Sequence, residues 1–263
     1  MANESKDIRN MINKIYHIAD VHIRNVKRHK EYRQVFRRLY SYIKKTKTEN
    51  DLIYIAGDIV HAKTDMSPEL IDLTSEFFSN LADLLPTIVI LGNHDCNLNN
   101  NYRLDALSPI VKAIKHKNLH YLKDNGVYDI QGVHFNVMAV DEKPAKYIHA
   151  KDFEGKYKIA LHHGSVHNAS TDAGFMLSNT HVTTDMFAGH DLVLLGDIHK
   201  PQYLDAEKTI AYAGSLVQQN HGESLGHGIM IWNLATKKSE FVEIQNDYGY
   251  YTYEIDNGKI VKP

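Results

Sequence analysis

Cysteine is almost missing from this sequence of 263 residues, since Cys96 is the single one. A chain with one cysteine forms no internal disulfide, and such a composition fits a reducing compartment. Long hydrophobic runs are missing as well. No stretch approaches the roughly 18 apolar residues of a membrane span, and the first residues lack the apolar core of a secretion signal. We therefore expect an intracellular protein that is neither secreted nor bound in a membrane.

An excess of charge of one sign is also absent, because 30 Lys and Arg face 32 Asp and Glu, for a formal net charge of −2. The surface as a whole should not attract a polyanion, so binding to nucleic acid would need a local patch. One stretch is rich in basic residues: Lys27, Arg28, Lys30, Arg33, Arg37, Arg38, Lys44, Lys45 and Lys47. Its pattern fits a solvated helix face, and it equally fits a surface that binds the phosphates along a nucleic-acid strand. The sequence does not decide between these two interpretations.

Apolar segments alternate with helical patterns in the first half of the chain. The spacing predicts strands over residues 14–19, 52–56 and 87–91, and helices over 32–43, 68–85 and 107–114. Ser67 is the predicted N-cap of the second helix, with Pro68 as its first residue. Repeated strand, helix and strand units favour a parallel sheet covered on both faces.

The second half of the chain is richer in strand. We predict a hairpin that turns at Gln131-Gly132, and further strands; the ranges are 126–130, 133–140, 157–161, 192–195, 210–213, 228–233 and 240–244. With 43% hydrophobic residues the chain can bury one large core, and no repeat or linker divides it. We predict an α/β fold in which two packed sheets carry outer helices, as a single domain over residues 1–263.

Five predicted strands run directly into polar residues that can bind metal ions. These are Asp20-Val21-His22, Gly57-Asp58, Gly92-Asn93-His94-Asp95, His162-His163-Gly164 and Gly196-Asp197-Ile198-His199. Ligands of α/β sheets gather at the carboxyl ends of strands, so these loops should converge. Carboxylate, imidazole and amide oxygen suit a pair of divalent cations, and the lack of thiolate clusters argues against structural zinc. Because such a pair can hold a phosphate and activate water, the pattern predicts hydrolysis of a phosphate ester.

In this order the motifs D-x-H, G-D, G-N-H-D, H-H-G and G-D-x-H resemble the signature of the calcineurin-like metallophosphoesterases. The resemblance implies a four-layer α/β/β/α sandwich with two packed mixed sheets. The implied ligands of one ion are Asp20, His22 and His199, those of the other are Asn93, His162 and Asp197, and Asp58 would bridge the two. His94 would be the acid–base histidine, because an imidazole that is not a ligand can protonate the departing oxygen.

Two neighbours of these residues receive other roles. His163 is interpreted as a group beside the site rather than as a ligand, and Asp95 as a residue that orients a ligand. Asp197 stands where many members of the family have histidine. The second site is therefore richer in carboxylate, which favours Mn²⁺, or Mg²⁺, over zinc.

Narrower features resemble the meiotic-recombination-eleven or SbcD-type nucleases. They are Gly57-Asp58-Ile59-Val60-His61, the segment 196–202, Tyr212-Ala213-Gly214-Ser215-Leu216 with Gly222-Glu223, and the segment 228–234. The resemblance implies a DNA nuclease of double-strand-break repair or recombination, acting as a 3′–5′ exonuclease and a single-strand endonuclease. It implies a homodimer and an SMC-like coiled-coil ATPase of the SbcC type as partner. We expect the capping and partner-binding regions of that family to be absent or truncated here.

The resemblance also suggests contacts with the substrate. His61 would lie near the scissile phosphate, and Lys27, Arg28, Tyr102 and Arg103 are further candidates. Two alternatives to the nuclease stay open. One is a phosphatase or small-molecule phosphodiesterase with the same metals, although the arginine-bearing elements of protein phosphatases are not present. The other is an inactive scaffold, against which the intact ligand positions argue.

Overall fold

Two six-stranded β-sheets form the centre of the structure, a computed structural model that describes residues 11–100 and 102–262. The strands are β1 (Lys14–Ile18), β2 (Leu52–Ile55), β3 (Thr87–Val89), β4 (Leu119–Tyr121), β5 (Gly126–Ile130), β6 (Val133–Met138), β7 (Lys158–His163), β8 (Leu192–Gly196), β9 (Gln202–Tyr203), β10 (Ile210–Tyr212), β11 (Gly228–Asn233), β12 (Lys238–Glu243), β13 (Glu254–Asp256) and β14 (Lys259–Lys262). The α-helices of the described residues are α1 (His29–Thr46), α2 (Pro68–Leu84) and α3 (Leu107–Ile114). Short 3-10 helices cover Pro144–Lys146, Ala150–Asp152 and Thr184–Phe187.

Both large sheets combine parallel and antiparallel strands. The first has the order β12-β11-β1-β2-β3-β4, in which β1 to β4 run parallel and β11 pairs antiparallel with β1 and β12. The second has the order β5-β6-β7-β8-β10-β9, with parallel inner strands and antiparallel edges. The predicted α/β fold with two packed mixed sheets is confirmed, whereas a purely parallel first sheet is not, because β11 returns beside β1.

Apolar side chains separate the layers. Trp232 and Tyr54 of the first sheet meet Phe135 of the second in a core between the sheets. The other face of the first sheet packs on the helices, where the rings of Phe36 and Phe77 lie 4.2 Å apart between centroids. This burial is the main force that holds helix and sheet together.

The outer face of the second sheet carries a third apolar cluster. Ala160 and Val193 of the sheet pack there against Tyr147 and Phe187, which belong to loops and 3-10 helices. In the described part of the chain, the fourth layer of the expected α/β/β/α arrangement is therefore built from short turns rather than α-helices. None of the helices described here is long and apolar enough to cross a membrane.

Helix ends and ion pairs follow the local chemistry. The side chain of Ser67 accepts a hydrogen bond from the backbone of Leu70 at 3.3 Å, so the predicted N-cap of α2 is confirmed. On α1, Arg33 binds carboxylates of α2, and Arg38 lies 2.9 Å from a carboxylate oxygen of Asp247. Part of the basic stretch therefore connects elements of the fold.

Candidate metal centre

The ends of the parallel strands bring the predicted motifs to one edge of the sheets. Asp20 and His22 follow β1, Asp58 follows β2, and Asp197 follows β8. Their φ angles are positive, at 50°, 49°, 51° and 104° respectively. Residues other than glycine keep such angles only where surrounding contacts hold them, and these angles are frequent at functional sites. The backbone therefore turns sharply after each strand.

One group of ligand atoms comes from Asp20, His22 and His199. One such atom of each residue lies within 4.8 Å of the others. Nε2 of His22 lies 3.1 Å from Nε2 of His199 and 3.4 Å from Oδ2 of Asp58. The structure thus brings together the three residues predicted for the first ion.

A second group is centred on His163. Its Nε2 lies 2.9 Å from Oδ1 of Asn93, 3.4 Å from Oδ1 of Asp58 and 3.9 Å from Oδ1 of Asp197. Asp20, Asp58 and His163 also form a group whose ligand atoms lie within 4.8 Å of one another. His163, interpreted from sequence as a neighbour, therefore occupies the place expected for His162.

The pleat of β7 explains this exchange. Side chains alternate between the faces of a strand, so consecutive histidines point in opposite directions. Leu161, two residues before His163, packs in the core between the sheets. Ala160, two residues before His162, packs on the outer face, where the ring centroid of His162 lies 5.7 Å from that of Tyr147. The predicted ligand His162 is thus not grouped with the carboxylates.

Hydrogen bonds orient two of the imidazoles. Nδ1 of His163 donates to the backbone carbonyl of Ala56 at 2.6 Å, and Nδ1 of His199 donates to Oε1 of Glu223 at 2.7 Å. Because these oxygens only accept, the proton of the neutral ring lies on Nδ1. When the ring is neutral, Nε2 therefore carries no proton, and this is the form that binds a metal ion.

Burial and neighbouring charges act in opposite directions on the pKa values of the site. Burial raises the pKa of Asp20 to about 7, although His163 and His199 oppose the rise. Burial also opposes the charge of Asp58, yet His163 holds the pKa of this carboxyl below its usual value. Burial lowers the pKa of His163, but Asp58, Asp20 and Asp197 raise it well above its usual value. A divalent cation would compensate this concentration of carboxylates.

The donor set fits two divalent cations. Asp58 directs Oδ2 toward His22 in the first group and Oδ1 toward His163 in the second, as a bridging carboxylate would. The remaining donors are carboxylates, imidazoles and one amide, a set that suits cations such as manganese.

His94 lies beside both groups. Its Nδ1 donates to the carbonyl of His61 at 2.6 Å, and its backbone N–H donates to Oδ1 of Asp58 at 2.8 Å. Its ring meets that of His22 edge-on, with centroids 4.8 Å apart. Nε2 of His94 is then the atom that can exchange a proton.

Ligand atoms of His22, His61 and His94 also lie within 4.8 Å of one another. Burial, followed by the charge of Arg24, lowers the pKa of His61.

Asp95 connects the loop after β2 with the loop after β3. Its carboxylate accepts backbone hydrogen bonds from Ile59, Val60 and Gly92 at 2.9 to 3.0 Å. The contact ties the loop after β2 to the loop after β3, which carry Asp58 and Asn93. The contacts of Asp95 in these loops are thus with backbone groups, and its predicted role in orienting a ligand stays a prediction.

Two further residues form hydrogen bonds with candidate ligands and were not predicted to do so. Ser165 donates to Oδ2 of Asp197 at 2.6 Å, and Glu223 orients His199. The Gly222-Glu223 element was a possible signal for the second contact. Nothing in the sequence pattern points to Ser165.

The centre opens into a cavity of about 210 Å³, which is lined by His22, Arg24, Asp58, His61, His94, Asp197, His199, Gln219 and Asn220. A second cavity of about 280 Å³ shares Asp197, His199 and Asn220 with the first, and Thr171 and Lys200 extend its wall. The two cavities therefore lie side by side along the metal centre.

Among the predicted substrate contacts, only His61 lines either cavity. Lys27, Tyr102 and Arg103 are exposed and line neither cavity. Arg28 is held by two hydrogen bonds to a carboxylate of α1, at 2.7 and 2.8 Å. The structure thus does not bring these four residues to the centre.

Three comparisons with known proteins are informative to different degrees. The uncharacterized protein R555 of Acanthamoeba polyphaga mimivirus is 47% identical over 267 residues, which cover 97% of this chain and 20% of that protein. The chain thus spans about a fifth of the length of this curated relative. The crystal structure of Pseudomonas putida nuclease MPE is similar over 60% of this chain and 62% of that chain, with 17% identity and a TM-score of 0.33.

The third comparison covers most of the chain and agrees with the geometry of the centre. The model of the calcineurin-like phosphoesterase family matches residues 13–210, which contain all of the grouped ligands. Members of this family are hydrolases that use divalent metals to cleave phosphoester bonds. This chain belongs to the calcineurin-like phosphoesterase family.

Proposed function

We propose that this chain is a two-metal phosphodiesterase that cuts DNA, a nuclease of the meiotic-recombination-eleven or SbcD type. The observation that carries the proposal is the convergence of donors from five strand-end loops, with the two oxygens of Asp58 directed at two groups. When bound, two divalent cations would stabilise charge on a phosphate and favour ionisation of an attacking water. Manganese is the proposed ion, with magnesium second, because most donors are oxygen atoms.

The proposed ligands differ from the predicted set at one position. His163 replaces His162, because its Nε2 faces Asn93, Asp58 and Asp197. The other proposed ligands are Asp20, His22, Asp58, Asn93, Asp197 and His199.

His94 is the proposed acid–base residue. Its Nδ1 is engaged by the carbonyl of His61, so Nε2 is the atom that gives a proton to the leaving oxygen. His61, in the wall of the same cavity, is proposed to contact the phosphate.

Two features support a nucleic acid as the substrate. The metal cavity and its neighbour lie side by side along the centre, with Lys200 as a cation in the second cavity that could meet a further phosphate of a polymer. The segments from Tyr212 to Leu216 and Gly222-Glu223 resemble those of break-repair nucleases. We therefore propose DNA as the polymer, cut from 3′ ends and within single strands.

Digestion of end-labelled DNA tests this function. Double- and single-stranded DNA is incubated with Mn²⁺, Mg²⁺ or no metal, and products of 5′-labelled strands reveal the direction of cutting. We expect manganese-dependent cutting that falls by about 100-fold or more in His94→Ala, the order expected for loss of an acid–base group. Asp58→Ala should abolish both cutting and manganese binding.

His116→Ala is the matched control, because His116 pairs with Asp83 at the surface, at 3.2 Å, and lines neither cavity. It should cut as the wild type does. Absence of DNA cutting alongside hydrolysis of bis-p-nitrophenyl phosphate would keep the phosphodiesterase and move the substrate away from DNA. Activity on p-nitrophenyl phosphate alone would favour a phosphatase. A protein that binds no Mn²⁺ would be the inactive scaffold.

We also propose, from the sequence resemblance, that the nuclease is an intracellular homodimer that works with an SMC-like coiled-coil ATPase in DNA repair or recombination. Light scattering after size-exclusion chromatography tests the dimer, for which we expect a mass near twice the 30.1 kDa of the chain. A single mass near 30.1 kDa at all concentrations would contradict it.

A further inference from the structure

Arg24 lies in the wall of the metal cavity. It follows His22 by two residues and lines the same cavity as His22, Asp58 and His94. Its Nη2 donates to the backbone carbonyl and to Oε1 of Gln219, at 3.1 and 3.4 Å. Both acceptors are uncharged, so these contacts do not neutralise the guanidinium.

Other arginines of the fold are paired differently. Arg28, Arg33 and Arg38 each bind an aspartate or a glutamate. Within residues 11–100 and 102–262, no ion pair joins Arg24 to a carboxylate, and its buried Nε makes no hydrogen bond. A buried donor without a partner costs free energy that an incoming acceptor can recover.

The loop over residues 218–223 fixes the position of Arg24 relative to the metal centre. The backbone N–H of Gln219 donates to Oε2 of Glu223 at 2.6 Å, and Oε1 of the same glutamate accepts from His199 at 2.7 Å. Arg24 and His199 are therefore both anchored to one short loop. Such support fixes the guanidinium relative to the ligands.

A guanidinium offers planar, parallel N–H donors that match two oxygens of a phosphate. In this cavity, the carboxylates near Arg24 are those that bind metal in the proposed site, so an anion is the partner that remains for its charge. We propose that Arg24 is a substrate-binding residue, which donates hydrogen bonds to a non-bridging oxygen of the phosphodiester at the metal centre. This inference rests on the proposed function and adds the group that recognises the phosphate.

Arg24→Ala, Arg24→Lys and the control Arg37→Ala test the inference in two assays. Arg37 is exposed on α1 and lines a groove that contains no residue of the metal centre. The first assay is calorimetric binding of Mn²⁺, followed by inorganic phosphate. The second is manganese-dependent hydrolysis of bis-p-nitrophenyl phosphate.

We expect Arg24→Ala to bind Mn²⁺ as the wild type does, but to lose about tenfold or more in phosphate affinity and in kcat/KM. Arg24→Lys should recover part of both, and Arg37→Ala should match the wild type.

The two assays separate failure of the inference from failure of the proposed function. Phosphate affinity in Arg24→Ala within twofold of the wild type overturns the inference, as does a wild type that binds no phosphate with Mn²⁺. Loss of phosphate affinity in a protein that hydrolyses no diester would retain Arg24 as a phosphate-binding residue and reject the phosphodiesterase. Loss of Mn²⁺ binding in Arg24→Ala would assign Arg24 to the support of the metal site and overturn the inference.

Discussion

His162 and His163 stand next to each other in the chain but face different surroundings. His163 faces the carboxylates, whereas Nδ1 of His162 donates to the carbonyl of Met138 at 2.8 Å, on the outer face of the second sheet. Burial lowers the pKa of His162 to about 4, so this histidine is neutral at physiological pH. One position along a strand thus separates a candidate ligand from a core residue.

Substitution of each histidine in turn should separate the two roles. We expect His163→Ala to weaken Mn²⁺ binding by more than about tenfold, because a direct donor to the second ion is lost. His162→Ala should keep Mn²⁺ affinity within about threefold and lower the free energy of unfolding by about 1–3 kcal/mol, through the cavity it leaves. Isothermal titration calorimetry and urea unfolding measure the two effects. The reverse pattern would restore His162 as the ligand.

Glu223 acts on the centre through His199. Glu223→Gln keeps the size of the side chain but removes the charge that, against the effect of burial, raises the pKa of His199. We expect Mn²⁺ affinity to fall by about 10- to 100-fold, the usual cost of losing a carboxylate behind a ligating histidine. The comparison is with Glu243→Gln, an exposed glutamate of β12 that should bind Mn²⁺ normally. If Glu223→Gln bound Mn²⁺ with unchanged affinity, the hydrogen bond between Glu223 and His199 would contribute to the fold and not to metal binding.

At the scale of elements, the strand ends approach one another so closely that a methyl group has no room. A Cβ on Gly92 would lie 2.1 Å from Oδ1 and 2.2 Å from the backbone nitrogen of Asp58. The loop after β3 therefore packs directly on the loop after β2. Glycine is needed at this point for contact rather than for its conformational freedom.

Gly92→Ala should displace Asp58 and disturb both proposed ion sites. We expect a loss of about 1–3 kcal/mol in the free energy of unfolding, the usual cost of overpacking, together with loss of measurable Mn²⁺ binding. Gly126→Ala is the control, because its Cβ would meet only ordinary contacts, at 3.6 Å from Tyr128. Urea unfolding and manganese titration report on both variants. Normal Mn²⁺ binding in Gly92→Ala would show that the loops can separate without cost to the site.

Elements of different length were predictable to different degrees. Helices α1 and α2 have 18 and 17 residues, so their apolar periodicity was plain, and the predicted helices over 32–43 and 68–85 are confirmed. The prediction did not include β4, β9, β13 or β14, which have two to four residues. A pattern of period two cannot be established over so few residues, and pairing with neighbours decides whether they are strands.

On the scale of the whole molecule, cations should stabilise the fold. Ligands that bind only the native state raise its stability by mass action, by about 2.7 kcal/mol at 100 times the dissociation constant. Mn²⁺ should therefore raise Tm, and chelation with EDTA should reverse the rise. Asp58→Ala should show little or no increase, since it lacks the proposed bridging carboxylate. Equal shifts in both proteins would place the effect outside the centre.

Protons should compete with these cations. The pKa of Asp20 is raised to about 7, mainly by burial, and that of His163 is raised by the neighbouring carboxylates. Asp20 therefore takes up a proton as the pH falls from 8 to 6, and His163 holds its proton more tightly than an ordinary imidazole. The protonated forms of both groups do not bind metal. We expect weaker Mn²⁺ binding and a smaller rise in Tm at pH 6 than at pH 8. A larger rise at pH 6 would contradict this linkage.

The sequence by itself determined the α/β class, the long helices and the polar loops at five strand ends. These features depend on local patterns: apolar periodicity, an N-cap at Ser67, and glycine with aspartate or histidine after a strand. The grouping of Asp20, His22 and His199 followed from those motifs and the resemblance they carry, and the structure brings the three residues together.

Only the tertiary structure decided which of two histidines faces the carboxylates, and which arginine reaches the cavity. The position of His163 depends on the pleat of β7 between two different cores, and that of Arg24 depends on a loop nearly 200 residues away in sequence. The antiparallel pairing of β11 with β1 likewise joins segments that are distant in sequence. Such contacts arise from the packing of whole layers, for which local residue patterns carry no signal.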